Sequence, residues 1–432
     1  MERIRIKELE KHIGKEVMVA GFVHEVRNQS KVKFLLLREL SGIIQCVSLP
    51  SSSTFEEITK ISKESVIEII GKVKKEKNAP SGIEIEIKEI KVLSEAEELP
   101  IQVVEKGIEA ALPLRLDYRW LDLRKPKKAL IFKIATTMEE VMREFWKKEG
   151  FLEIHSPKIM GVPSESGAEL FELEYFGKKA YLAQSPQLYK QMAMSSGFEK
   201  IFEVGPVFRA NHSHTTRHDT EFTSIDMEIS FIKSEEDVMS MEEKWLAYTI
   251  KKLKEIYGKE IESVFGVKIE VPKVPFPRIP MKEAIALLKE KEIIQSGDLD
   301  AEGEKKISEI VKEKYKHDFV FITEYPYEKR PFYHMKQTSD KTLTKSFDLI
   351  WKGMEITTGA QREHRYEILK EQALEKGLTQ EPIKHYLDFF KYGCPPHGGC
   401  GVSLTRLLMQ LLEIPNVREV TFLPRDTERL TP

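Results

Sequence analysis

Two apolar runs that each lead into an arginine restrict this chain more than any other feature. Val204-Gly-Pro-Val-Phe208 runs into Arg209, with Arg217, His218 and Asp219 just beyond. Far downstream, Gly399-Cys-Gly-Val-Ser-Leu-Thr405 runs into Arg406. Strand-length apolar runs are core material, and a cation there is costly unless it meets a ligand or an opposite charge. Both arginines are therefore candidates for a site laid on a β platform. A third run, Gly150-Phe-Leu-Glu-Ile-His-Ser-Pro-Lys-Ile159, precedes them and comes after a stretch of helical period from Lys127 to Lys148.

At 432 residues the chain exceeds one ordinary core and points to two or three domains. Hydrophobic residues at 41% and charged residues at 32% describe a folded chain with a heavily charged surface. The net charge of −2 excludes a global basic field. Nucleic-acid contact has to come from local patches such as Lys72, Lys74, Lys75 and Lys77, which suit a solvated strand edge equally well. No apolar leader or membrane-length run is present, so the expected location is the cytoplasm, with no membrane partner. Three cysteines do not make a disulfide framework.

Short alternating runs at 16–24, 32–38, 43–47, 66–71 and 83–88, punctuated by Gly14, Gly42, Gly71 and Pro80-Ser-Gly82, predict a small barrel of the OB type over residues 1–103, with a helical stretch near 53–62. A polar linker occupies 104–127. Residues 128–432 mix helices and strands in blocks, which predicts an antiparallel α+β domain, with a helix at 234–257 and a peripheral insertion around 258–318.

Taken in order, the 150–159 run, Arg209 with its loop, and the run into Arg406 resemble the three signature motifs of the class II aminoacyl-tRNA synthetases. With the OB-type domain, the resemblance covers nearly the whole chain. Gln184-Ser-Pro-Gln-Leu-Tyr-Lys-Gln191 is similar to the aspartyl members, in their archaeal form. The resemblance implies ATP-dependent activation of L-aspartate and its transfer to tRNA, in a homodimer joined through Ala129–Ile159. Such chemistry asks for cations that neutralise developing charge and hold reactants in line. Arg209 and Arg406 are then the catalytic pair, Arg209 on the α-phosphate and the substrate carboxylate, Arg406 against adenine. Arg217, His218, Asp219, Glu355 and Ser403 are expected on ATP, and Phe222 stacked on its base. The chain departs from the family pattern at Asn211, where glutamate is usual, and at Ser403 and Thr405, which replace a glycine and an acid.

Asp348 and Glu355 flank a predicted two-residue turn at Lys352-Gly353. That register sets Ile350 opposite Glu355 and Asp348 opposite Thr357, leaving the two acids diagonal on one face. Two carboxylates beside a triphosphate suit Mg²⁺, with Thr358 alongside; two solvated acids are the plainer reading. Cys394, His397 and Cys400 offer too few soft ligands for zinc, and the glycines among them suit close backbone approach to ATP. His212, His214 and His218 lack the spacing of a metal cluster.

Resemblance to the aspartyl members implies that Lys190 and Arg362 receive the substrate's side-chain carboxylate, with Gln187 and Thr358 nearby and Glu165 on its ammonium. Such a pair of cations would reject asparagine by leaving buried charge uncompensated. In the OB domain, Phe34 matches an anticodon-stacking aromatic, and Arg27 and Gln45 match polar readers. His24 and Pro80 stand where archaeal enzymes restricted to tRNA(Asp) usually carry Trp and Lys, which resembles the branch charging both tRNA(Asp) and tRNA(Asn). The misacylated product of that branch implies a tRNA-dependent amidotransferase. A discriminating aspartyl enzyme, an asparaginyl enzyme, an inactive tRNA-binding paralogue and an amide-forming asparagine synthetase are the alternatives. The last should lack an OB domain.

Overall fold

The computed structural model describes residues 1–104, 107–163, 169–213 and 215–432, apart from the Gln380 side chain. The chain divides into two compact units, Met1–Leu130 and Ile131–Pro432.

In the first unit, β1 (Glu16–Gln29), β2 (Val32–Glu39), β3 (Gly42–Ser48), β4 (Val66–Lys75) and β5 (Ile83–Ser94) close a barrel in the order β1-β2-β3-β5-β4. Alternation along the strands puts Val17, Val19 and Val23 inside with Leu35, Leu37, Ile44, Ile67, Ile69 and Ile85. The helical stretch expected at 53–62 is one short helix, Thr54–Glu57, and then a tight 3-10 turn, Ile58–Lys60. The first strand extends past His24 to Gln29 because a bulge between Val23 and Glu25 bends it without ending its pairing to β2.

The second unit is built on an eight-stranded sheet. Its strands are β6 (Leu152–Glu153), β10 (Lys200–Phe208), β11 (Glu221–Ser230), β12 (Arg278–Pro280), β13 (Phe319–Thr323), β14 (Ser346–Trp351), β15 (Met354–Gln361) and β16 (His397–Ser403). They lie in the order β12-β13-β14-β15-β16-β11-β10-β6. Pairing is antiparallel except at the two edges, where β12 runs with β13 and β6 with β10. A separate three-stranded sheet joins β7 (Ile159–Met160), β8 (Glu172–Tyr175) and β9 (Lys178–Leu182).

Helix Glu235–Phe265 covers the back of β15 and β16. Ser234 and Asp237 form a reciprocal capping box at its start, and Gly266 ends it at φ 75°. It outruns the expected 234–257 because the polar turns after Tyr257 keep helical spacing up to that glycine. Trp146 stacks on Phe202 at 4.6 Å and meets Trp245 at 5.3 Å, locking this helix and Pro126–Lys148 to the sheet. The segment expected as a peripheral insertion supplies edge strand β12 and helices Met281–Lys289 and Ala301–Tyr315. These bury Met281, Leu288, Ile307 and Val311 against Val320, Ile322 and Ile350.

Candidate active site

Strands β11, β15 and β16 contribute to the lining of a cavity of about 480 Å³. Gln187, Lys190, Arg209, Arg217, His218, Asp219, Phe222, Glu355, Thr358, Arg362, Ser403 and Arg406 all line it. Glu165 and His214 lie outside the described residues.

Arg209 comes directly after β10, and its backbone N–H donates to Thr220 O at 2.8 Å. Its guanidinium stands 5.5 Å over the Phe222 ring and forms no ion pair among the described residues. A cation at a cavity wall that forms no ion pair among the described residues is available to an anionic ligand. The ring nitrogen Nδ1 of His218 is 2.6 Å from Thr215 Oγ1, and burial together with Arg406, Arg217 and Arg209 depresses its pKa. Asp219 turns part of its carboxylate away from the cavity, accepting from Thr421 Oγ1 at 2.9 Å, and burial pushes its pKa up to about 6.

Ser403 explains its own departure from the glycine pattern. It is the N-cap of helix Leu404–Leu412, its hydroxyl accepting from Arg406 N–H at 3.3 Å, with Thr405 Oγ1 at 3.0 Å. Arg406, in the first turn, donates to Glu355 O at 2.8 Å and lies 3.4 Å from Glu355 Oε1.

The acid pair shares a neighbourhood by a different register from the one expected. Asp348 is paired with Thr358, not Thr357, because the ladder slips between Leu349 and Ile350 and leaves Ile356 as the extra residue. A one-residue bulge reverses the face of the residues beyond it, so Glu355 and Thr358 come together, the Thr358 hydroxyl donating to Glu355 Oε1 at 3.3 Å. Asp348 Oδ2 accepts from Arg330 at 2.6 Å, while its buried Oδ1 has no hydrogen-bond partner. Glu355 is pushed up to about 7 by burial and then by Asp348, with Arg406 opposing. An unsatisfied buried carboxylate oxygen beside a second, repelled carboxylate is a donor set that a hard divalent cation fits. Among the described residues no cluster of three or more His, Cys, Asp or Glu side chains forms a metal site.

Lys190 is 2% exposed and lies 3.1 Å from Asp226 and 3.4 Å from Glu228. Arg362 donates to Glu228 Oε1 at 3.1 Å, to Gly399 O at 2.9 Å and to His334 Nε2 at 2.9 Å. This corrects the expectation of uncompensated charge: the two cations are already balanced by two buried acids. Burial alone would raise Glu228, but Arg362 and Lys190 overcome it and hold the carboxylate below its usual range. Gln187 Nε2 donates to Gln191 Oε1 at 2.8 Å, which fixes the Gln187 amide.

Among the glycines around Cys400, Gly401 lines the cavity, while Gly399 has a structural cause of its own. A Cβ on Gly399 would collide with Met227 O and the Glu228 carboxylate of β11, so this glycine makes room for the buried acid. His397 is buried with Nδ1 2.9 Å from Pro395 O and Nε2 3.0 Å from Gln191, and burial lowers it to about 4.

On the barrel, β1 and β2 pair Arg27 with Phe34, and β2 and β3 pair Leu36 with Gln45, which sets all four on the outer face. Gln45 donates to Glu84 at 2.9 Å. Pro80 is exposed between β4 and β5. His24 occupies the bulge, and its Nδ1 lies 2.8 Å from Arg38 Nη1. Arginine only donates, so Nδ1 accepts and the ring proton resides on Nε2. Arg38 is in turn buried against Glu64 at 2.6 Å. Lys74 of the basic patch is ion-paired with Glu86.

Sequence reasoning missed Arg330, His334, Asp226, Glu228 and Glu304. Alternation through Thr223-Ser-Ile-Asp-Met-Glu-Ile-Ser230 carried a signal for Asp226 and Glu228, since period two puts both on one face. The others arrive from distant segments and left no local signal.

Residues 111–427 match the family of class II tRNA synthetases (D, K and N), and residues 17–93 match the OB-fold nucleic acid binding domain. A relative from Methanopyrus kandleri, named aspartate–tRNA(Asp/Asn) ligase, is 47% identical over 97% of this chain and 96% of its own. One from Pyrococcus abyssi, named aspartate–tRNA(Asp) ligase, is 45% identical over 97% of each chain. Among solved structures, asparaginyl-tRNA synthetase from Pyrococcus horikoshii complexed with asparaginyl-adenylate superimposes with a TM-score of 0.92 at 33% identity, covering 100% of both chains. With a catalytic unit matched almost end to end and an OB barrel ahead of it, this chain belongs to the class II tRNA synthetases of the D, K and N group.

Proposed function

We propose that this chain activates L-aspartate with ATP and attaches it to both tRNA(Asp) and tRNA(Asn). An oxygen of the α-carboxylate attacks the α-phosphorus, pyrophosphate leaves, and a terminal ribose hydroxyl of tRNA then displaces AMP. The observation that carries the aspartate assignment is Lys190 at the cavity with Arg362, two side chains that can only donate. A substrate carboxylate accepts from both. The carboxamide of asparagine would turn an N–H₂ toward one of them, leaving donor against donor. Selection thus rests on hydrogen-bond direction, since Asp226 and Glu228 already balance the charge.

Arg209 meets the charge that develops at the α-phosphate, and Phe222, whose ring it stands over and which lines the cavity, is assigned to the base. Arg406, anchored to Glu355, lines the same cavity. Gln187 and Thr358 orient the amino acid, and Glu165 is assigned to its ammonium. Mg²⁺, when bound, neutralises phosphate charge; Asp348, Glu355 and Thr358 would hold it.

Relatives named for tRNA(Asp) alone are nearly as similar as those named for both tRNAs, so overall similarity does not separate the two branches. His24 and Pro80 favour the broader one, and with it an amidotransferase acting on the misacylated product in the cytoplasm. A homodimer fits the exposure of Leu152 and Ile159, at 53% and 47%, in the run just beyond helix Pro126–Lys148. Pyrophosphate exchange dependent on aspartate, with none above background for asparagine, is the expected result. Exchange driven by asparagine instead would overturn the assignment.

A further inference from the structure

We propose that Glu304 is a positioning residue of the ATP site, holding the Arg217 guanidinium at the cavity wall so that it meets the nucleotide's phosphates already oriented. The inference rests on reading this cavity as an ATP site.

Glu304 lies in the first turn of helix Ala301–Tyr315, whose start is fixed by Asp300 accepting from the Glu302 and Gly303 N–H groups. Its Oε2 accepts from Arg217 Nη1 at 3.0 Å and from the Glu355 N–H at 3.1 Å. Arg217 Nη2 donates to Gly353 O at 3.2 Å, and Gly353 N–H donates to Ser308 Oγ, one turn along the same helix, at 2.9 Å. One edge of the guanidinium is therefore bound to a helix and a hairpin turn, while the side chain still lines the cavity. A guanidinium carries five N–H donors in a plane, so an edge fixed by protein leaves others for an anion. Glu304 is mostly buried, with its side chain 13% exposed, so the pair is little screened by solvent.

Arg217 belongs to a loop between β10 and β11, and a loop arginine that must be ordered on binding weakens affinity by roughly two- to tenfold. Pre-ordering by Glu304 removes that penalty. The sign discriminates between roles. Were Glu304 mainly a counter-charge competing with phosphate, its loss would tighten ATP binding; a positioning role requires the opposite.

E304Q keeps an oxygen to accept from the Glu355 N–H and removes the charge that holds Arg217. In aspartate-dependent pyrophosphate exchange it should raise the KM for ATP about two- to tenfold, leaving the aspartate KM and the melting temperature unchanged. In an R217A background E304Q should add nothing. S308A, which loosens the hairpin but leaves Glu304 on Arg217, should raise the ATP KM less than E304Q does. E304D, with its charge on a shorter arm, should err in the same direction as E304Q and serves if E304Q does not fold. An unchanged or lower ATP KM in the Glu304 variants overturns the inference. So does an equal factor in the R217A background, or an S308A effect as large as that of E304Q. Robust wild-type exchange with any of these results sinks the inference alone, whereas no wild-type exchange with ATP and aspartate removes the functional reading and the inference together.

Discussion

Arg209 differs from the other cations of the cavity in having no carboxylate neighbour among the described residues, whereas Arg217, Arg330, Arg362 and Arg406 are each ion-paired. On the proposed reading its charge serves the ligand. R209A should cut aspartate-dependent pyrophosphate exchange by at least about a hundredfold, the scale on which a transition-state donor counts. Its melting temperature should stay at the wild-type value, and near-normal exchange would show that the phosphate is held elsewhere. Glu355 makes a second prediction at this scale. With burial and Asp348 holding its pKa near 7, the carboxylate loses its proton only as pH rises through neutrality. Cation binding requires the deprotonated form. The magnesium concentration giving half-maximal exchange should fall between about pH 6 and pH 8, and E355Q should flatten that dependence.

At the scale of elements, the barrel, the antiparallel sheet and the order of the motifs were legible because alternation and turn residues are local signals. Strand β1 past His24 and the pairing of Asp348 were not, because a bulge adds one residue without any mark in composition. Glu304 and Arg330 were hidden for a different reason: they enter the site from segments that read only as charged helix and loop. Ser403 shows how a departure from a motif can be local engineering of a helix start. S403A should cost about 0.5–2 kcal/mol through loss of the cap, visible as a lower melting temperature. Glu242 tests the underside of the sheet. Helix Glu235–Phe265 buries it completely, near Thr357 and Cys400, and burial pushes its pKa from 4.5 up to about 8. Between those values the folded chain holds a proton that the unfolded chain has released. The stability this gives is fully present below about pH 4.5 and is lost as pH rises through about 8. E242Q carries no such proton, so its melting temperature relative to wild type should climb between about pH 5 and pH 8.5. A constant difference across that range would mean that Glu242 is ionised in the fold.

At the scale of the whole molecule, the residues proposed for activation and those proposed for tRNA choice lie in different compact units, so the proposal makes the two separable by mutation. His24 and Pro80 belong to the first unit; the cavity residues belong to the second. His24 is not a loose side chain: Arg38 takes its Nδ1, and Glu64 holds Arg38, so the ring is fixed in one tautomer. On the proposed reading, a fixed small ring at the bulge and an exposed proline between β4 and β5 stand in place of the larger aromatic and the cationic donor of the restricted branch. Each discriminating contact of that kind is worth about 1–3 kcal/mol, roughly ten- to a hundredfold in specificity. Transcripts bearing GUC and GUU anticodons should therefore be aspartylated within about tenfold of one another. H24W combined with P80K should restore a preference for GUC, chiefly by weakening charging of GUU. Tryptophan at the bulge must also displace or abandon the Arg38 contact, so H24W alone should lower the melting temperature of the barrel unit while P80K should not. Aspartate-dependent pyrophosphate exchange without tRNA should be identical in all these variants. A wild-type preference for GUC of about a hundredfold or more would confine the enzyme to tRNA(Asp), and would leave aspartate activation untouched.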